Sequence, residues 1–400
     1  MEEGTFASIL TVSAAIAERS KVKELRPLSA EIVKEILNKN SGVFIVAGVR
    51  GSGKTTILAE LYGREKNAMF INAEILLKHN IDLLDFLHYA YSKDYRIFLI
   101  DEIHALPNWE KDIKIFFDET RAKIVLSGSS AIMLKAKGSE LSRRASFYHT
   151  KPLSFREYIF FKTKKLLPKV GIRDIVERGK DLEKEIAPYL HFFSPYLHFD
   201  ALPAAFFERT KEVYVNIVER TIRYDLAYLR EIDVYYIDNV FKTIKILATS
   251  LPAEISYSSL ASSLGVSIKL VKEIIGSLAQ AGIIYAIPPL GKGKKAVRKE
   301  EKILMPLSFR AALCSYYGVV AEKGSLREDF FVQHVGECHY LKTGIERRTP
   351  DFVKNGFVFE VGGPSKSYSQ IAKTMNAFVV KEGLGLKKDE LSLYLFGLLY

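Results

Sequence analysis

The sequence predicts an α/β protein whose first part is a parallel sheet wrapped by helices, and three short stretches carry that prediction. GVFIVA from Gly42, RIFLI from Arg96 and KIVLS from Lys123 are apolar runs rich in β-branched residues, the pattern of strands buried on both faces. Each run ends in residues that collect ligands at the carboxyl edge of a parallel sheet: glycines, adjacent carboxylates, small hydroxyls.

The first run leads into GVRGSGKT, residues 48–55, which completes the G-x-x-x-x-G-K-[ST] pattern of a phosphate-binding loop. Gly48, Gly51 and Gly53 fall where the chain turns sharply and brings backbone N–H groups against phosphate oxygens, with Arg50 and Ser52 between them. Lys54 is placed to bridge β- and γ-phosphates, and Thr55 to give its hydroxyl to Mg²⁺. The helix that opens with Thr55 and Thr56 points its positive end at the same phosphates. Arg50 is expected to brace the loop or touch a neighbouring carboxylate.

The second run, RIFLIDEIH, ends in Asp101 and Glu102. After an apolar strand, this pair suits an aspartate that holds Mg²⁺, directly or through water, and a glutamate that orients the hydrolytic water. The third, KIVLSGSS, offers Ser127 and Ser129 as γ-phosphate sensors if its strand neighbours the other two. Together the three point to ATP as ligand and Mg²⁺ as its ion, with Lys54, Glu102 and Ser127 as catalytic candidates.

These motifs, with LIDEIHALPNWE from Leu99, LSGSSAIML from Leu126 and PLSFREY from Pro152, follow one another in order up to Tyr158. In them the chain resembles prokaryotic AAA+-like P-loop ATPases that join an ATPase core to a C-terminal winged helix and a PD-(D/E)xK nuclease-like region. In that family a glycine–arginine pair precedes the proline–leucine–serine–phenylalanine segment. Here the matching pair is Arg143-Arg144, so Arg144 takes the arginine's place while Arg143 departs from the pattern. Two roles are open to Arg144: reaching a γ-phosphate, in trans if the chain forms a homo-oligomer, or making a surface salt bridge.

The expected organisation is an ATPase core over residues 1–160, a helical lid or spacer over 161–235, a winged helix over 236–305 and a small α/β nuclease-like domain over 306–400. The apolar segment from Thr5 to Ala17 is expected to pack on the core as a helix, because it follows Glu2 and Glu3 and lacks the basic start of a signal peptide. Thr210 to Arg230 reads as one long amphipathic helix. Three helices follow, Asp238 to Ser250, Ser256 to Val266 and Ser267 to Ile284, with serine caps on the later two and a turn at Gly265. A hairpin then carries GKGKKAVRKEEK. Lys269 and Lys272 on the third helix, and Lys292, Lys294, Lys295, Arg298 and Lys299 on the wing, are the candidate DNA contacts; a protein-interaction module is the other use of such a fold.

In the tail, Glu328 on a helix, Asp351 after Pro350 and Glu360 on the next strand outline a PD-(D/E)xK metal site. The lysine expected two residues after Glu360 is replaced by Gly362, with Lys366 as the available substitute, so the tail is expected to be a non-catalytic relic; an active nuclease is the alternative. Composition agrees with a cytoplasmic protein outside the membrane. Cys314 and Cys338 are too few for a disulfide framework, no zinc spacing occurs, and a net charge of +11 favours a polyanionic partner.

Overall fold

The computed structural model describes residues 2–130, 136, 138–208, 210, 212–226, 233–252, 255–291, 300–341, 351–363, 375–385, 387 and 389–400. The wing residues Lys292, Lys294, Lys295, Arg298 and Lys299 lie outside them, as does Lys366. The chain divides into two compact units: Met1–Lys151 with Tyr224–Glu231, and Pro152–Arg223 with Ile232–Tyr400. No described helix is long and apolar enough to cross a membrane.

The first unit is built on strands β1 (Gly42–Gly48), β2 (Ala68–Asn72), β3 (Ile97–Asp101), β4 (Lys123–Gly128) and β5 (Ala145–Thr150). They form one parallel sheet in the order β2-β3-β4-β1-β5. Alternate residues feed opposite faces: Val43, Ile45, Phe98, Ile100 and Ile124 enter one core, and Phe44, Val46, Leu99 and Val125 the other. Both faces are covered, which is why these runs read as continuously apolar.

The helix Glu3–Ser20 contributes Phe6, Ile9, Ser13 and Ala17, one turn apart. Phe6 packs against Phe86 and Tyr89 at centroid distances of 5.4 and 5.0 Å. On Trp109–Thr120, Trp109, Ile113, Phe116 and Phe117 make the inward stripe, and Phe116 meets Phe98 of β3 edge-on at 4.9 Å. Because every strand runs the same way, Gly48, Asp101, Gly128 and Thr150 all finish at one edge of the sheet.

In the second unit, the parts expected as a separate spacer and tail share one hydrophobic core, which runs from Leu153, Phe155 and Ile175 to Phe330, Phe359 and Leu398. Phe193 joins Phe155 and Phe330 at 5.3 and 5.1 Å, and Ser154 Oγ donates to the Tyr400 carbonyl at 2.8 Å. Pro152–Tyr158 therefore belongs with this unit, and the N-terminal stretch of the first unit runs to Lys151, short of the boundary expected at 160. Of the long helix expected from Thr210 to Arg230, residues 212–226 are described and are helical, while 227–230 lie outside the described residues. Glu212–Arg220 buries Val213, Tyr214, Ile217 and Val218, and the helix continues with the wider π-type winding of Thr221–Asp225.

Helices Val234–Thr249, Tyr257–Leu264 and Ile268–Gln280 follow, capped by Asp233, Ser256 and Ser267, whose side chains accept the N–H groups of Tyr236, Ser259 and Leu270. Gly265, at φ 66°, ends the second. Strands β6 (Tyr285–Ile287) and β7 (Lys302–Leu304) then pair antiparallel. The last sheet contains β8 (Phe352–Lys354), β9 (Phe357–Gly362), β10 (Ala377–Lys381) and β11 (Glu390–Ser392), in the order β11-β10-β9-β8 with only β8 antiparallel to its neighbour. Helix Lys323–Val335 packs on it through Phe331, whose ring lies 5.2 Å from those of Phe352 and Phe359.

Candidate nucleotide site

The loop after β1 depends on glycine for two separate reasons. At Gly48 the reason is space: a Cβ there would stand 2.1 Å from Thr150 Oγ1 and 2.3 Å from the Thr150 carbonyl, so β5 could not run alongside. At Gly51 and Gly53 the reason is backbone, since φ is 80° and 94°. Gly53 caps the helix Lys54–Arg64 with no side-chain hydrogen bond, leaving its first N–H groups to point at the loop's ligand. Ser52 Oγ and Thr150 Oγ1 are 2.6 Å apart, and Arg26 Nη1 donates to the carbonyls of Ser52 (3.3 Å) and Lys151 (2.7 Å), tying the loop to the end of β5.

Lys54 is buried and donates to the carbonyls of Gly48 and Val49 at 3.0 and 3.2 Å, lying across the loop it follows. Burial holds its ammonium below the usual lysine range, with the charges of Glu102 and Asp101 opposing. Thr55 Oγ1 donates to Asp101 Oδ2 at 2.9 Å, and Ser127 Oγ donates to Asp101 Oδ1. Burial, and next the adjacent Glu102 charge, push the Asp101 carboxyl up to about 6 against those two hydrogen bonds. A hydroxyl and a carboxylate in contact, with a second carboxylate beside them, make an oxygen-rich, electronegative spot that suits a hard divalent cation. Thr56 follows on the first helical turn.

Glu102 is held in left-handed backbone, φ 54° and ψ 40°, as β3 turns into the short helical turn Ile103–Ala105. Its N–H donates to Ser127 Oγ at 3.3 Å. Arg50 Nη2 lies 3.8 Å from Glu102 Oε1 and 3.5 Å from Asp225 Oδ1. His104 stands between the same two carboxylates, 3.4 Å from Glu102 Oε2 and 3.9 Å from Asp225 Oδ1. Ser129 is buried one residue past β4.

The structure thus gathers Gly48, Arg50, Gly51, Ser52, Gly53, Lys54, Thr55, Asp101, Glu102 and Ser127 at one edge of the sheet. Arg144 is not among them. It precedes β5, at the opposite end of that strand, and grips Asp118 with Nε and Nη2 at 2.7 and 2.9 Å, so within its own chain it is a salt bridge. Sequence reasoning missed Arg26, His104, Thr150 and Asp225. His104 sits two residues past Glu102 and was open to notice; nothing around Asp225 marks it, because a turn far along the chain delivers it.

Residues 40–159 match the AAA domain family. Over that stretch the chain is similar to AAA-type ATPase domains. Residues 202–306 match a domain of unknown function, DUF8612. An uncharacterised protein of Methanocaldococcus jannaschii is 28% identical over 404 residues, covering 90% of this chain and 85% of that one. A second uncharacterised protein of the same organism is 25% identical over 205 residues, covering 50% of this chain and 42% of that one. Among solved structures, a STAND signal-transduction ATPase with a tetratricopeptide repeat sensor from Pyrococcus horikoshii is similar over 79% of this chain and 45% of that one, at 12% identity and a TM-score of 0.27.

The tail site departs from expectation. Glu328 and Asp351 do approach each other, but the Lys302 ammonium lies between them, 2.6 Å from Glu328 Oε2 and 3.0 Å from Asp351 Oδ1. Glu360 is buried on β9. Among the described residues no group of three or more His, Cys, Asp or Glu side chains is placed to hold a metal ion, so the three carboxylates do not converge as a metal triad. Asp329, next to Glu328, serves the interior instead: Arg310 Nε and Nη2 donate to its oxygens at 2.5 and 3.1 Å.

Proposed function

We propose that the protein binds and hydrolyses ATP with Mg²⁺, and that its nucleotide state controls DNA binding through a winged helix formed by the three helices after Asp233 and the β6–β7 hairpin. The observation that carries the first half is the meeting of Thr55, Asp101 and Ser127 beside a left-handed glycine loop. Thr55 and Asp101 would hold the ion, which when bound screens phosphate charge and polarises the γ-phosphoryl oxygens. The amides of Gly51, Gly53 and Lys54 cradle the phosphates, and the Lys54 ammonium exchanges the carbonyls of Gly48 and Val49 for phosphate oxygens. Glu102 orients the attacking water, and Ser127 holds Asp101 in place.

Support for the second half comes from the third helix, where Lys269 and Lys272 are exposed beside the exposed Ile268, and from the lysine-rich sequence between β6 and β7. The test joins the two halves. Lys54→Ala should abolish nucleotide binding measured by a fluorescent ATP analogue, and duplex-DNA affinity of the parent should differ between ATP and ADP and fall steeply with salt. DNA affinity that ignores both salt and nucleotide, beside intact ATPase activity, would favour a switch acting on a protein partner.

A further inference from the structure

Lys302 opens β7 as the last residue of the basic run GKGKKAVRKEEK, yet its ammonium turns inward. Nζ sits 2.6 Å from Glu328 Oε2, 3.0 Å from Asp351 Oδ1 and 4.6 Å from the centroid of the Phe352 ring. The side chains of Lys302, Glu328 and Asp351 are 13, 19 and 17% exposed. The second oxygen of Asp351 accepts the Val361 N–H at 2.9 Å, which fixes that carboxylate against β9. A helix and a strand entry thus each supply one carboxylate to a single enclosed cation.

Two carboxylates are what a protein commonly offers Mg²⁺, with water completing the shell, at metal–oxygen distances of about 2.1 Å. An ammonium in contact with both oxygens fills that gap. It balances the charge, but it has no coordination position left for a phosphate oxygen and no Lewis acidity to activate water. Burial disfavours the charge on Lys302, yet its two carboxylate neighbours more than offset this and hold it above the usual lysine range; burial pushes Glu328 up to about 7, with Lys302 opposing. The nuclease pattern reserves for lysine a place beside the metal, which here is Gly362. Lys302 comes from a different element and lies in the metal's own place.

We propose that Lys302 is the built-in cation of this cluster: its ammonium replaces a divalent metal between Glu328 and Asp351 and closes the C-terminal sheet to metal binding and to metal-dependent phosphodiester cleavage. This role is independent of ATP hydrolysis. One side chain separates the closed state from a metal-binding one.

The test uses the full chain with Mn²⁺ as probe, in a Lys54→Ala background to remove the metal that nucleotide would bring. The parent should show no Mn²⁺ binding by electron paramagnetic resonance that Asp351→Asn abolishes, and no plasmid cleavage with Mn²⁺. Lys302→Met should bind one Mn²⁺, with the apparent Tm rising about 5 °C at a hundredfold excess over Kd, and Glu328→Gln in that variant should remove the effect. A Lys302→Met protein that folds only with Mn²⁺ present supports the proposal equally. The proposal is overturned if the parent binds Mn²⁺ at Asp351, if the parent cuts DNA and Lys302→Met does not, or if Lys302→Met, folded or not, fails to respond to Mn²⁺.

Discussion

Replacing Asp225 by asparagine removes one charge from the nucleotide site while keeping the side chain's shape. In the native arrangement Arg50 divides its attraction between Asp225 at 3.5 Å and Glu102 at 3.8 Å, and His104 lies between the same two groups. A unit pair 3.5 Å apart is worth about 5 kcal/mol at an effective dielectric constant of 20, and solvent at the partly exposed Arg50 reduces this. Without the Asp225 charge, Arg50 turns to Glu102 alone and, in the mechanism proposed above, holds it away from the water it would orient. If about a third of the lost attraction is transferred, the barrier rises by about 1.5 kcal/mol, close to a tenfold loss in kcat. Lys54, Thr55 and Asp101 are untouched, so KM for ATP should stay within twofold. A coupled ATPase assay on Asp225→Asn, Arg50→Gln and the double variant reads this directly, the double variant being no slower than Arg50→Gln alone. Unchanged kcat in Asp225→Asn, or a loss confined to KM, would refute the idea that this carboxylate acts through Arg50.

Gly48→Ala forces a methyl group onto the hydroxyl and carbonyl of Thr150; it should destabilise the first unit by about 3 kcal/mol in urea unfolding, and Thr150→Ala should not rescue it because the carbonyl remains. Arg310→Met strips a buried carboxylate of its partner and should cost about 3–5 kcal/mol, whereas Arg310→Met with Asp329→Leu should recover most of that; equal losses in both would show the pair is not the cause. Burial pushes the Cys338 thiol up to about 11, so native protein at pH 8 should react slowly with an aromatic disulfide reagent, and the Cys338 rate should climb about tenfold per pH unit until that value. Stoichiometric labelling of Cys338 within seconds at pH 8 would contradict its burial.

Much of the ATPase unit was legible because its signals are local. GVRGSGKT specifies a turn by the conformations its glycines permit, and the strand runs announce double-sided burial by lacking polar alternation. What was not legible depends on contacts between distant parts of the chain. For Arg144 the sequence left a γ-phosphate contact and a salt bridge both open, because spacing does not say at which end of a strand a side chain lies or that Asp118 waits one helix away. Lys302 looked like one more lysine of a basic run.

By itself, then, the sequence determined the phosphate loop, the acidic pair, the strand order's raw material and the caps at Ser256 and Ser267, since each depends on backbone preferences and neighbours within a few residues. Only the tertiary structure decided which distant charges meet: Asp225 with Arg50 and His104, Lys302 with Glu328 and Asp351, Arg310 with Asp329. The reason is physical. Removing an ion from water is costly unless an opposite charge is brought to it, and which charge arrives is set by how the whole core packs.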